Sequence, residues 1–510
     1  MHHIGTMKTL SSKAIQRSMV SIGFECLDRE LFDPARCYDL LGASGVKHAR
    51  VQTGWSKCEK EKGVYDFGWL DGIVDSLLAR GVQPWFNVGF GNPLYMENLP
   101  NPTGVGCVPL YYGGEAVAAW ARFACALAEH YRDRVTEYEI WNESDIAHFW
   151  VPSEPDGARY AELIALTGAQ IRRAQPDARI GACTSSAEET DFAYLDRLAA
   201  GLRPGELDFF CLHRYTVFPE KGWVGRVEAT RAVFERRGHR LSYWMGEGGY
   251  PSWFPKGHWM HPRPDNPGSE RQQAVYQLRR YFQDAAMGLE RSSFFQMVDM
   301  WQKPYQKASE VLSRPAAQGV LNGITYTPKR AYFTLGRLAN LLSGDIAPLR
   351  VYAECDLADA TRCEAVSIQT FALRRGEQML FACYLPTDIQ DECGMREGFS
   401  LRVYPLDAGV TSMAEPVLAD LFTGEVFSAG IAMQDGCLRA QGLPIAEYPL
   451  VLCDRSMLEM IYEETGCKHE ARTGSGNWSP DPFLASRLWP VFIRHQYFFV
   501  DSAFSMRLSA

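Results

Sequence analysis

Between Val20 and Trp301 the chain passes eight times from a short apolar run into a polar or glycine-bearing stop. Where helical spacing of apolar residues separates such runs, strand follows helix follows strand, which is the pattern of a parallel sheet; eight units of it close a barrel rather than an open sheet. The strand-like runs are residues 20–26, 46–52, 81–90, 137–141, 179–183, 207–215, 241–246 and 292–301. Helical spacing is legible over 34–44, where Gly45 breaks it, and over 69–78, 116–130 and 160–174, the last ended by Pro176-Asp177.

At 510 residues the chain is too long for one ordinary domain. After Leu342 helical spacing gives way to short alternating strands separated by Gly, Asp and Pro, at 365–371, 379–384, 399–404, 416–421 and 448–453. The expected layout is an α/β (β/α)8 TIM barrel over 20–342 and a C-terminal β-sandwich over 343–455. Residues 1–19 form an N-terminal segment that could lie on the sandwich. Residues 456–510 form a tail in which a Gly-Ser-Gly break at 474–476 precedes aromatic clusters at 488–493 and 497–500. Such a tail should bury itself against another domain or against a second subunit of a homo-oligomer.

Composition bounds the partners. A formal net charge of −9 argues against a nucleic-acid surface, and no stretch reaches the apolar length of a membrane span. The N-terminus lacks a charged segment followed by a long apolar one, so no secretory signal is expected. Fourteen cysteines are scattered without a CxxC pair, which suits buried free thiols in a reducing cytoplasm. No HExxH and no phosphate-cradling glycine loop occurs, and neither metal nor organic cofactor is expected.

Two runs end on a carboxylate: Trp141-Asn142-Glu143 closes one, and Glu247 stands among Gly246, Gly248 and Gly249 at the end of another. Strand ends are where barrel enzymes place their chemistry, and glycines there let a ligand approach the backbone. Arg50 sits in an apolar strand, a costly place without a carboxylate partner. His213 and Tyr215 alternate and so share one side of their strand, although a core histidine with satisfied nitrogens would look the same. Asn142 read alone could be a turn residue.

Trp141-Asn142-Glu143 followed 104 residues later by Glu247, about three barrel units of roughly 31 residues, resembles clan A of the glycoside hydrolases over residues 20–340. The resemblance implies a retaining enzyme with two carboxyls about 5 Å apart, Glu143 as acid/base and Glu247 as nucleophile. It further implies that Asn142 hydrogen-bonds the sugar 2-hydroxyl, that Arg50 holds the nucleophile ionised, and that Tyr215 hydrogen-bonds Glu247 while His213 orients the surroundings. Trp301 would form an aromatic floor beneath the sugar, core packing being the alternative, and Trp55 and Trp85 are further candidates. Many members carry a histidine at the end of the third strand, where this chain offers Asn87, Gly91 and Asn92. A barrel followed by a sandwich most resembles families 39 and 5, which implies an exo-acting, β-xylosidase-like glycosidase on short oligosaccharides. An endo-β-glycanase of the same clan, or a carbohydrate-binding barrel without catalysis, stands as the alternative.

Overall fold

The alternating pattern folds as eight parallel strands that close on themselves: Val20–Gly23, His48–Gln52, Gln83–Val88, Glu137–Ile140, Arg179–Thr184, Phe209–His213, Ser242–Glu247 and Arg291–Phe294. Closure is made by the first and eighth strands, with Val20 opposite Ser292 and Ile22 opposite Phe294. The structure is a computed structural model and describes residues 1–185, 191–254, 260, 266–300, 317–357, 368–391, 395–407, 409, 413–428 and 430–462. One compact unit spans Met1–Glu463. A second, Glu464–Ala510, carries the aromatic tail and lies outside the described residues. Among the described residues no helix is long and apolar enough to cross a membrane.

The helices behind the strands form for the reason their spacing suggests. In Gly68–Leu78 the buried side chains are Leu70, Ile73, Val74 and Leu77, one stripe at helical period against the sheet. Helix Gly157–Ala174 begins three residues before the apolar spacing does, because the Asp156 carboxylate accepts from the Ala158 N–H and caps its first turn. Inside the barrel, Trp85, Cys183, Phe209, Cys211 and Trp244 fill the lumen as a separate cluster.

The eighth strand is shorter than its apolar run. It ends at Phe294, yet Phe295, Met297, Val298 and Met300 remain buried, and Met297 N–H donates to Gly23 O at 2.9 Å. Apolar character there reports burial at the barrel mouth rather than ladder pairing.

The C-terminal sandwich has an eight-stranded and a four-stranded antiparallel sheet. The larger one incorporates the chain's first residues: His2–Met7 pairs with Glu425–Ser428 on one side and Met460–Tyr462 on the other. The smaller one shows the expected alternation, with Phe399, Leu401 and Val403 buried between the sheets.

Helix Glu270–Ala286 is the hinge of this arrangement, buried along almost its whole length despite carrying Gln273, Gln277, Arg279, Arg280 and Asp284. The sandwich covers its polar side: Arg279 donates to Glu447 O at 2.6 Å, Thr387 O at 2.9 Å and Leu385 O at 3.4 Å. Arg279→Ala would leave those buried carbonyls without their charged donor, and a loss of about 3 kcal/mol in urea unfolding is expected. A loss under roughly 0.5 kcal/mol would show that water replaces the guanidinium without cost.

Candidate active site

Glu143 and Glu247 reach the same point from opposite sides of the barrel mouth. One carboxylate oxygen of each, together with His213 Nδ1, falls within a 4.8 Å span. Both side chains are largely withdrawn from water, at 11% and 13% exposed.

Two local devices bring them there. After Ile140 the backbone turns sharply, with Trp141 at φ 67° and Glu143 at φ 39°, a left-handed conformation that costs on the order of 1–3 kcal/mol for a side-chain-bearing residue. The surroundings hold it in place. Trp141 N–H donates to Val88 O at 3.0 Å, its indole N–H to Phe149 O at 2.6 Å, and Asn87 Nδ2 donates to Trp141 O at 2.6 Å. The second device is a register shift between the sixth and seventh strands: Leu212 faces Met245, but His213 faces Glu247, so Gly246 is the extra residue. A Cβ at Gly246 would lie 2.8 Å from His213 Nε2, and only glycine allows that approach.

Arg50 organises the floor. Its guanidinium donates to Glu247 Oε2 at 2.9 Å, Glu25 Oε2 at 2.6 Å, Glu139 Oε2 at 3.0 Å and Asn142 Oδ1 at 2.8 Å. Tyr215 OH donates to Glu247 Oε1 at 2.5 Å, so both oxygens of Glu247 are engaged. Burial, and then the Glu247 charge, push the Tyr215 phenol well above its ordinary range, which keeps that proton in place. His213 Nδ1 lies 3.1 Å from Glu143 Oε1 and 3.5 Å from Glu247 Oε2.

Glu143, Glu25 and Glu139 differ in acidity. Burial, reinforced by the charges of Asp145 and Glu139 and opposed by Arg50, raises Glu143 from 4.5 to about 8. Burial raises Glu25 as well, with Glu247 and Glu139 adding to it against Arg50. Glu139 is equally buried, but Arg50, His213 and the Trp85 indole N–H outweigh desolvation and hold it below its ordinary value. Burial lowers His213 to about 4, Arg50 adding to the effect against the pull of Glu247, so the imidazole is neutral near pH 7. One buried acid that keeps its proton beside a carboxylate gripped by two donors can protonate a leaving group while its neighbour attacks.

Of the residues singled out from the sequence, Arg50, Asn142, Glu247 and Tyr215 are joined by hydrogen bonds, and the His213–Glu143 pair meets that group where Nδ1 lies 3.5 Å from Glu247 Oε2. Trp55 is not part of it. Fully buried, it stacks on Tyr95 at 5.6 Å and Phe123 at 5.8 Å and donates to Glu59, which makes it a packing residue under the helices. Trp85 lies beneath the site, donating to Glu139 at 3.1 Å. Trp301 lies outside the described residues; at the end of the eighth strand it is Phe295 that meets Tyr215, edge-on at 6.2 Å. Asn87 Nδ2 also donates to Glu139 Oε1, and Asn92 ties its loop to an earlier one, donating to Glu59 O and accepting from the Leu94 N–H. Sequence reasoning missed Glu25 and Glu139, the two further carboxylates bonded to Arg50. The signal for both was present, since Phe24-Glu25-Cys26 and Tyr138-Glu139-Ile140 each carry a carboxylate inside an apolar run, the partners Arg50 demands.

Among the described residues two triads, Glu139–Cys183–His213 and Glu143–His213–Glu247, bring one donor atom from each member within 4.8 Å of the others. Both share His213, and both contain a carboxylate already bonded to the Arg50 guanidinium, whose charge opposes a second cation.

Residues 44–233 match the family model described as Glycosyl hydrolases family 39. A curated relative, a beta-xylosidase of Geobacillus stearothermophilus, is 26% identical over 172 residues, 30% of this chain and 31% of that protein. The match thus spans about a third of that relative's length. The fold is shared with a family 39 glycoside hydrolase from the gut symbiont Bacteroides cellulosilyticus WH2, at TM-score 0.57 and 17% identity over 83% of this chain and 78% of that one. It is shared too with a GH39 enzyme from Xanthomonas axonopodis pv. citri, at TM-score 0.53 and 16% identity over 89% and 97%.

Proposed function

Taking as premise that residues 44–233 carry a glycosyl hydrolases family 39 domain, we propose that the chain is a retaining glycosidase that cleaves β-linked glycosides by double displacement. The observation that carries the reading is the pairing of Glu143 and Glu247, with oxygens within 4.8 Å, beside the rise of Glu143 to about 8. That spacing suits direct attack on the anomeric carbon rather than attack through an intervening water, which needs roughly 6.5–9.5 Å between the carboxyls.

In the first step Glu143 protonates the glycosidic oxygen while Glu247 bonds to the anomeric carbon and the aglycone leaves. In the second, Glu143, now ionised, takes a proton from water, and the oxygen of that water displaces Glu247. Asn142, whose Oδ1 accepts from Arg50 at 2.8 Å, would hold the sugar 2-hydroxyl. Exo action on short oligosaccharides, with xylosides as the preferred substrate, is the finer reading, supported by the beta-xylosidase relative. The unbridged cysteines of the described chain, Cys183 and Cys211 inside the barrel among them, support a reducing cytoplasm as its compartment.

A panel of aryl β-glycosides tests the proposal, with proton NMR of the first product. Release of the β-anomer from one of them is expected; an α-anomer first product would rule out double displacement, and sugar binding without turnover by any of them would favour a carbohydrate-binding barrel. The same assay reads the proton on Glu143. Activity should fall about tenfold per pH unit above about pH 8, and Glu143→Gln should abolish that alkaline limb while sparing the first step for an aryl group that leaves unprotonated. The shift also has a stability sign. The unfolded chain ionises this group near 4.5 and the folded one near 8, so its contribution to stability declines as pH rises across that window.

A further inference from the structure

We propose that Cys183 is a positioning residue of this site: its thiol donates to Nε2 of His213 and so fixes the imidazole in the tautomer whose Nδ1–H faces Glu143 and Glu247. The role in turnover rests on the glycosidase reading; the tautomer itself does not.

The geometry leaves the ring little choice. His213 is fully buried, with Cys183 Sγ 3.1 Å from Nε2 and the oxygens of Glu143 and Glu247 at 3.1 and 3.5 Å from Nδ1. A neutral imidazole carries one N–H. On Nδ1 that proton meets an oxygen of each glutamate; on Nε2 it would face the thiol sulfur, a weak acceptor, and leave the Nδ1 lone pair against the Glu247 oxygen. With Nδ1 as donor, Nε2 needs one, and the Cys183 S–H is within reach. Burial, with the Glu139 charge adding to it, pushes that thiol well above its ordinary range, so the proton stays on sulfur. The alternative acceptor for it, Thr184 O, is farther, at 3.9 Å.

The sulfur is held where this bond needs it. Tyr160 OH accepts from the Cys183 N–H at 2.9 Å and donates to Ile140 O, tying the fourth and fifth strands together. Ser144 Oγ donates to Cys183 O at 3.0 Å, and Tyr194 OH donates to that same Oγ at 2.9 Å. The clamp therefore runs from the turn that carries Glu143 to the residue that orients its histidine.

The consequence concerns the proton on Glu143. With Nδ1–H as a donor, His213 makes no claim on that proton, which stays available to the leaving group. Once it has gone, the same N–H stabilises the Glu143 carboxylate. The opposite tautomer would draw the Glu143 proton to Nδ1 and raise its affinity further. The charged groups around the pair are Glu247, Arg50, Glu139 and Asp145, with Cys183 on the remaining side.

Nitrogen-15 NMR of histidine-labelled protein, with the His213 signals assigned by their loss in His213→Gln, reads the tautomer without turnover. The wild type should show Nδ1–H alone over roughly pH 6 to 9. Cys183→Ser, which keeps a donor, should preserve both the tautomer and the pH profile. Cys183→Ala should show mixed tautomers, an alkaline limb moved to higher pH, and about tenfold lower kcat at unchanged KM. An Nε2–H signal in the wild type overturns the proposal, as does an alanine variant with tautomer and profile unchanged. Should alanine not fold, the wild-type spectrum alone decides. If no glycoside is turned over, the glycosidase reading falls and the tautomer result stands by itself.

Discussion

Glu247→Gln should abolish hydrolysis of every aryl β-glycoside the wild type accepts, with kcat lower by on the order of 10⁴ or more. The substitution keeps the volume and leaves an oxygen for Tyr215, which donates to Oε1 at 2.5 Å, but an amide is a far poorer nucleophile than a carboxylate. Its NH2 would also face the Arg50 guanidinium, which now donates to Oε2 at 2.9 Å. Loss of activity alone does not separate nucleophile from acid, so the identity of the rescued product should be read. With azide present, Glu247→Gly should form an α-glycosyl azide, because the anion enters through the space the nucleophile vacates. Glu143→Gly should form the β-azide, because azide then attacks the intermediate on Glu247 from the acid/base side. A glutamine variant within tenfold of wild type would end the assignment of Glu247, and reversed azide products would exchange the two roles.

Arg50→Met should cost more than any other single change in the barrel floor. The guanidinium is completely buried and bonded to three carboxylates, of Glu25, Glu139 and Glu247. Methionine fills much of the volume but leaves those groups to repel one another in a dry site, and removing one partner of a buried ion pair typically costs about 3–5 kcal/mol. Activity should fall at least about 10³-fold, because Glu247 loses a donor and Asn142 its anchor. Arg50→Lys should recover little of either, since one ammonium cannot match a planar fork that contacts Glu139 through Nε and Nη2 and Glu25 through Nη1. Urea unfolding and aryl-glycoside kinetics read the two effects separately. A methionine variant within 1 kcal/mol of wild type would show that Glu25 and Glu139 take up protons at negligible cost, and the floor would then be an acid cluster rather than an ion-pair network.

Arg50 and Trp55 show how far local pattern reaches. Arg50 in an apolar strand announced that a carboxylate must be nearby, because a buried guanidinium without one is too costly to keep. Pattern could not say which carboxylates, nor that there are three. Trp55 failed for the complementary reason: an indole is equally suited to lining a sugar site and to filling a core, and its stacking on Tyr95 and Phe123 is a choice made by helices distant in the chain. The apolar run at 292–301 overstates the eighth strand, which ends at Phe294, because apolar residues around the barrel mouth are buried whether or not they pair.

What the sequence determined by itself is periodic and local. The barrel class, the stripes of its helices, the alternation in the sandwich and the two acidic strand ends all follow from burial at a fixed repeat, and burial marks each residue where it stands. Tertiary structure decided whatever depends on which distant segments meet. It placed His2–Met7 in the sandwich sheet between strands from the chain's far end, slipped the register at Gly246 so that Glu247 faces His213, and brought Cys183 to the imidazole. Hydrogen bonds and ion pairs act over a few ångströms, between groups the chain separates by tens to hundreds of residues, so no repeat along the sequence records them.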